Sequence, residues 1–209
     1  DSNRASNPGN NAGITATGTV DFSGADSATF NVNQFRVGHK GDNSNGFAVG
    51  VVTLATNNDI TANEIIVGRS GNNGGAGNEL HFGSGTNDVM TPTLTIGDFK
   101  NQGATVDVAA GGIVNIGDAG NRTDLIIGRK NVGTGANGSA LLDLSGGTGN
   151  IFTDDLSIGF ATLGSGGGSP TGTLINDGGT LNVAGNTIIG GTNGTGKLIV
   201  NGGTVVLGN

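Results

Sequence analysis

The sequence contains no cysteine, so the fold cannot depend on disulfide bonds. It also lacks tryptophan and tyrosine, which leaves few aromatic rings to stack on sugars. Only 9 residues are lysine or arginine against 16 acids, and the net charge of -7 disfavours nucleic-acid binding. Charged residues make up 12% of the chain, too few for disorder driven by charge. The apolar runs are far too short to span a bilayer.

Glycine is abundant in contrast. It accounts for 44 of the 209 residues, whereas ordinary proteins contain roughly 7% glycine. The glycines are irregularly spaced and only 3 prolines occur, which excludes collagen. The apolar residues are mostly Ile, Val and Leu in short alternating runs, and this pattern favours β-strands.

A short motif of alternating apolar residues that ends in Val-Gly or Ile-Gly recurs six times. Its last apolar residues are Val37, Val67, Ile96, Ile127, Ile158 and Ile189. Subtraction gives intervals of 30, 29, 31, 31 and 31 residues, a regularity that identifies an internal repeat.

Each repeat contains two further runs typical of strands. One follows the Val/Ile-Gly motif after a loop of variable length, as in TVDV (105–108), and the other precedes the next motif, as in IVNI (113–116). Three short strands per 30 residues predict an all-β, three-sided parallel β-helix (a β-solenoid) of about 6–7 rungs. Parallel crossovers favour a right-handed winding. We expect residues 1–18 to be a linker or cap and residues 19–209 to be one solenoid domain, a segment of a longer repeat protein or assembly.

Strand alternation predicts which side chains of the motif face the core. The last apolar residue and the residue two before it share a face. These earlier residues are Phe35, Ile65, Leu94, Leu125, Leu156 and Thr187, nearly all of them apolar. The intervening residues are mixed in character, as expected for an outer surface: Arg36, Ile66, Thr95, Ile126, Ser157 and Ile188. The glycine that ends each motif is expected to form a corner with positive φ or to make room for the next rung.

Charged residues recur two positions after the last apolar residue of the motif, where Asp98 falls between Arg69 and Arg129. This arrangement predicts a ladder of surface ion pairs, worth about 0–1 kcal/mol per pair. The alternative is a site for an anionic ligand. The long loops that follow the motif, such as KNVGTGANGS (130–139), lie on one edge of the solenoid, where binding surfaces usually arise.

Several local patterns resemble ligand-binding motifs but lack a residue or an element that the motif requires. Residues 133–138 match G-x-G-x-x-G, but no helical pattern follows to bind a pyrophosphate. Residues 146–151 (GGTGNI) lack the aspartate of a calcium-binding β-roll. Asp42 or the pair Asp154 and Asp155 could join a calcium site through their carboxylates, although solvated loop acids are the simpler interpretation.

Combinations of residues that could form a catalytic site are also rare in the sequence. The only histidines, His39 and His81, are expected on different faces of the repeat, which disfavours a shared nucleophilic or zinc site. The only glutamates are Glu64 and Glu79, a poor supply for paired-carboxylate hydrolysis. We therefore predict no catalytic, cofactor-binding or metal-binding residues, and no cofactor.

The stretches SGGTGNIFTDDLSIG, INDGGTLNVAGNTIIGG and VNGGTVVLGN resemble the autotransporter-associated β-strand repeats of large bacterial surface and secreted proteins. The resemblance extends over residues 20–209. It implies export and a structural, adhesive or passenger role.

Two functions remain open at this stage. The first is a non-enzymatic scaffold outside the cell or on its surface: a stalk, adhesin rod or filament subunit built from stacked rungs. The alternative is a carbohydrate-binding or polysaccharide-processing module of a larger secreted enzyme. The expected partners are further repeats or another copy stacked on the rung of Val205 and Leu207, and cell-surface glycans. Nucleic acid and a membrane span are not expected.

Overall fold

A computed structural model of the protein describes residues 15–40, 47–70, 75–130, 138–162 and 169–208. Every regular element in these ranges is a β-strand. The strands are β1 (Thr15–Asp21), β2 (Ser27–His39), β3 (Phe47–Thr53), β4 (Asn57–Ser70), β5 (Asn78–Phe82), β6 (Thr86–Met90), β7 (Thr93–Phe99), β8 (Ala104–Val108), β9 (Ile113–Ile116), β10 (Thr123–Lys130), β11 (Ser139–Asp143), β12 (Thr148–Ala161), β13 (Thr171–Asn176), β14 (Gly179–Val183), β15 (Thr187–Ile189), β16 (Thr195–Val200) and β17 (Thr204–Leu207).

The strands stack in three parallel lanes, each of which contributes one strand segment to a coil. Lane 1 is a seven-stranded sheet in the order β1-β3-β5-β8-β11-β13-β16. Lane 2 contains the first halves of β2, β4 and β12 together with β6, β9, β14 and β17. Lane 3 contains the second halves of those long strands together with β7, β10 and β15. The chain passes through the lanes in this order in each coil, so the predicted β-solenoid is confirmed.

The register of lane 3 confirms the repeat found in the sequence. Val37 lies opposite Val67, Val67 opposite Ile96, and Ile96 opposite Ile127. Ile127 continues this row through Ile158 to Ile189. Each coil therefore places the same position of the motif directly over its neighbour, at the strand spacing of about 4.8 Å.

One apolar core fills the space between the lanes. Ile96, Val106, Ile127, Leu142 and Ile158 are all 0% exposed, and each belongs to the single buried cluster. Full burial of one such aliphatic side chain stabilises the fold by about 1.5–3 kcal/mol. The outward-facing side chains of lane 3 are less exposed than expected, because Ile66 and Thr95 are also buried.

The glycine that ends each motif forms the corner after lane 3, as predicted. Gly38, Gly68, Gly97, Gly128, Gly159 and Gly190 all have positive φ, between 61° and 75°. A side chain at Gly128 would also collide with the carbonyl oxygen of Thr171 in lane 1. The corner therefore needs glycine for its backbone conformation and for the close approach of the next lane.

The ladder begins earlier in the chain than the sequence indicated. β1 starts at Thr15, four residues before the predicted boundary at residue 19, and pairs with β3 along its whole length. Apolar side chains are exposed on the outermost described strands, at Val20, Val32, Val205, Val206 and Leu207, and at Phe22 directly after β1. The right-handed winding stays a prediction.

Candidate functional site

A groove of about 570 Å³ follows the corner where lane 1 turns into lane 2. Its polar lining residues are Ser23, Thr53, Thr56, His81, Ser84, Asp107, Asp143 and Ser145. Four of them form one row, because Thr53, His81, Asp107 and Asp143 lie opposite one another in β3, β5, β8 and β11. Strand alternation turns this row away from the core, so the solenoid displays it as a linear array of polar groups.

His81 is held between two carboxylates in this groove. Its Nδ1 lies 2.8 Å from Oδ1 of Asp107, and its Nε2 lies 3.2 Å from Oε2 of Glu79. Burial of the ring alone would lower the pKa of His81, but the hydrogen bonds and charges of Asp107 and Glu79 outweigh it and raise that pKa. When the imidazole is protonated, both ring nitrogens donate to acids. A histidine in this arrangement is an ion-pair partner and has no free nitrogen to act as a general base toward a serine.

The His81 ion pairs should make stability depend on pH. Because the folded-state pKa is raised, charged His81 stabilises the fold fully below the unfolded value of about 6.5, and this contribution is lost as pH rises through the folded-state value. We expect the urea midpoint to fall as the pH rises above about 6.5, and His81→Gln to abolish most of that fall. Asp107→Asn should reduce it, since one of the two carboxylates is removed. A wild-type pH profile in His81→Gln would contradict this assignment.

A second groove, of about 580 Å³, crosses the outer face of lane 2. A polar row runs through it: Asp59 lies opposite Asp88, Asp88 opposite Asn115, and Asn115 opposite Asn150. The Asn115 amide donates to Asp88 Oδ1 at 2.7 Å, and the Asn150 amide donates to Asn115 Oδ1 at 2.9 Å. Phe152 adds an aromatic ring at the edge of this groove.

Asp98 bridges the two arginines that precede and follow it in the stack. Its Oδ1 accepts a 2.9 Å hydrogen bond from Arg129 Nε, and its Oδ2 lies 3.8 Å from Arg69 Nε. The predicted pairing is confirmed, but its placement on the surface is wrong, because the Asp98 side chain is only 1% exposed. The guanidinium of Arg69 lies 4.2 Å from the centre of the Phe99 ring, and this ring and the two cations shield the carboxylate from solvent.

The structure keeps the other candidate residues apart. His39 ends β2 in lane 3, whereas His81 lies in lane 1, so the prediction that they occupy different faces is confirmed. Glu64 pairs with Arg36 at 3.1 Å, away from Glu79. Asp155 Oδ1 accepts hydrogen bonds from the backbone and the side-chain amide of Asn186.

Some sequence candidates cannot be placed. Asp42 and most of the G-x-G-x-x-G match at 133–138 lie outside the described residues. Within the described ranges, no three histidine or acidic side chains are arranged to hold a metal ion.

Comparisons with known proteins leave the family open. The chain matches no protein-family model, no curated protein and no solved structure. Its described residues include no helix that is long and apolar enough to cross a membrane.

The sequence interpretation missed the association of His81 with Asp107. The signal was present, because both occupy the third position of their lane 1 runs, ELHF (79–82) and TVDV (105–108). Aligning these two runs by their apolar residues places His81 beside Asp107.

Proposed function

We propose that this chain is a non-enzymatic structural scaffold, a segment of a stalk, adhesin rod or filament that acts outside the cell or at its surface. The observation that carries the proposal is the single buried cluster that runs from Val37 to Val183 through successive coils. Each coil contacts the next through three backbone ladders and one core, as in other solenoids. Such a rod resists stretching, because separating two coils would open hydrogen bonds in all three lanes, and it resists bending, because bending would open those on its convex side.

Side-chain ladders along the axis support this mechanical role. The amide of Asn58 donates to Asn87 at 2.6 Å inside the fold, and the amide of Asn63 donates to Asn33 at 2.6 Å on its surface. These bonds join one coil to the next, in the same direction as the backbone hydrogen bonds. They therefore add resistance to separation of the coils.

The groups that most resemble catalytic residues have structural partners. Both nitrogens of His81 are held by acids, and buried Asp98 is paired with two arginines. Export rests on the resemblance of the repeats to autotransporter-associated β-strand repeats. The exposed side chains of Val205 and Leu207 favour further coils, or a second copy, as the partner that stacks on this edge.

The carbohydrate-binding alternative has one observation in its favour. The lane 2 groove combines Asp59, Asp88 and Asn115 with the ring of Phe152, and sugars are bound by such mixtures of hydrogen-bonding groups and apolar surface. Glycan binding by the purified chain that is lost in Asn115→Ala would favour this second function.

Single-molecule stretching tests the scaffold. A chain tethered at its two ends should unfold in steps of about 31 residues, which release roughly 100–110 Å each at 3.3–3.6 Å per residue. Turnover assays on neutral and acidic polysaccharides should show no product. Unfolding in one step of full length, or turnover that is lost in His81→Gln or Asp155→Asn, would overturn the proposal.

A further inference from the structure

Asn201 lies in the corner where β16 turns into β17, and it is followed directly by two glycines. Its side chain is exposed, and its Nδ2 donates a 2.6 Å hydrogen bond to Oδ1 of Asp177 in the preceding coil. The two residues stand opposite each other, because the pairing of β13 with β16 aligns the preceding residues Asn176 and Val200. This bond therefore ties the outermost described coil to its neighbour.

The residue after Asn201 leaves the side-chain amide open to attack from the backbone. Gly202 has no Cβ to hinder the approach of its nitrogen to the amide carbon. Its amide nitrogen donates no hydrogen bond to any residue that the structure describes. The corner also lies outside the strands, since β16 ends at Val200 and β17 begins at Thr204. The nucleophile is therefore available for reaction.

Another Asn-Gly pair of the described chain, Asn193 and Gly194, provides an internal comparison. Asn193 is also exposed, in the turn between β15 and β16. The nitrogen of Gly194, however, donates a 3.0 Å hydrogen bond to the carbonyl oxygen of Gly191, and this bond must open before the nitrogen can react. The two pairs share their sequence and their exposure but differ in the freedom of the attacking nitrogen.

We propose that Asn201 is a site of spontaneous deamidation, and that this modification loosens the β17 edge of the solenoid. The nitrogen of Gly202 attacks Cγ of Asn201 and closes a succinimide ring. The bond from Cγ to the side-chain nitrogen breaks, and that nitrogen leaves as ammonia with the proton from Gly202. Water then opens the ring at one of its two carbonyl carbons, which gives aspartate or isoaspartate. The reaction needs water and no oxidant, reductant or enzyme.

Either product removes the bond between the two coils. The new carboxylate has no proton to donate to Asp177, and two carboxylates at this distance repel each other when both are charged. Isoaspartate would also lengthen the backbone by one methylene group. The corner has little room for it, since a Cβ on Gly202 would lie 2.7 Å from the carbonyl oxygen of Asp177. The strand that should loosen is β17, which pairs with β14 from Thr204 onward.

The test incubates the purified full chain at mildly alkaline pH and maps its peptides by mass spectrometry over time. We expect the mass gain of deamidation to accumulate about three- to tenfold faster at Asn201 than at Asn193. Asn201→Gln, whose amide would have to close a larger and less favourable ring, should stay unmodified at this position. Relative to fresh protein, hydrogen exchange should show lost protection of β17 in aged wild type but not in aged Asn201→Gln.

Two variants test the consequence without waiting for the reaction. Asn201→Asp should reduce the protection of β17 in fresh protein, because it places a second carboxylate beside Asp177. The double variant Asp177→Asn/Asn201→Asp exchanges the amide and the carboxylate, so it should recover the hydrogen bond and the protection of β17.

The contrary results are distinct. Equal rates at Asn201 and Asn193 would show that the free nitrogen of Gly202 is unimportant and would overturn the site. Modification of Asn201 in the urea-unfolded chain but not in the folded chain would do the same, since the fold would then protect this corner. Unchanged protection of β17 in aged wild type and in fresh Asn201→Asp would overturn the loosening of the edge. The site is independent of the scaffold proposal, because it involves only the local chemistry of this corner.

Discussion

Replacing Gly128 with alanine should lower the free energy of unfolding by about 3–5 kcal/mol. Two effects combine at this corner. Gly128 has a φ of 73°, a conformation that costs an L-residue about 1–2 kcal/mol. The new Cβ would also meet the backbone of Thr171, which cannot move without opening the lane 1 ladder between β11 and β13.

Substitutions at two other glycines allow the backbone effect and the steric effect to be measured separately. Gly111 has a φ of 81° but nothing within 4 Å of its added Cβ, so Gly111→Ala should cost only the backbone part, about 1–2 kcal/mol. Gly18 lies in β1 with open space around it and should tolerate alanine within about 0.5 kcal/mol. Urea unfolding followed by circular dichroism measures all three. Equal losses at Gly128 and Gly111 would show that the contact with Thr171 is unimportant.

Replacing Asn87 with alanine should cost about 3–5 kcal/mol. Asn87 is 0% exposed, and its Nδ2 donates to the carbonyl oxygens of Gly83, Gly85 and Ile113. Its Oδ1 accepts from the backbone of Gly83 and from the amide of Asn58. Alanine would leave the N–H and the carbonyl oxygen of Gly83 without the side chain that satisfies them, and each unsatisfied buried group costs about 1–3 kcal/mol. Asn58 would keep its hydrogen bond to the carbonyl oxygen of Ala55.

Asn63 provides the matched control. It also bonds an asparagine of the neighbouring coil, Asn33, but it is exposed, so water can replace the lost bond. Asn63→Ala should therefore change the free energy of unfolding by less than about 1 kcal/mol. A double-mutant cycle of Asn58 and Asn87 measures their coupling, and an Asn87→Ala loss no larger than that of Asn63→Ala would contradict the role assigned to the buried amide.

The repeat and the inward face of lane 3 could be predicted because they depend on local rules. Alternation fixes which side chains share a face, and glycine marks each corner, so Val37 and Ile127 are identifiable as core residues from the motif alone. These features recur in every coil, so the repeat can be recognised in the sequence without any knowledge of distant contacts.

The polar interior could not be predicted in this way. Asn87 lies in the stretch TNDVM, which resembles an ordinary polar turn in the sequence. It is buried only because the chain turns from lane 1 into lane 2 at this point. Asp98 was paired correctly, but its burial depends on the neighbouring side chains that close over it. Loops of unequal length precede the lane 1 strands, so the register that joins His81 to Asp107 follows from pairing across coils rather than from sequence distance.

The pairing of every strand with its counterpart in the next coil also determines how the chain can fold. Each contact of this kind closes a loop of similar length, so no step requires a much larger loss of chain entropy than the one before it. The central coils contain the completely buried residues Ile96, Ile127 and Leu142, whereas the outermost described strands leave Val20 and Leu207 partly in water. Once one coil has formed, folding should therefore spread along the axis one coil at a time, because each coil is stabilised by the neighbour on which it stacks.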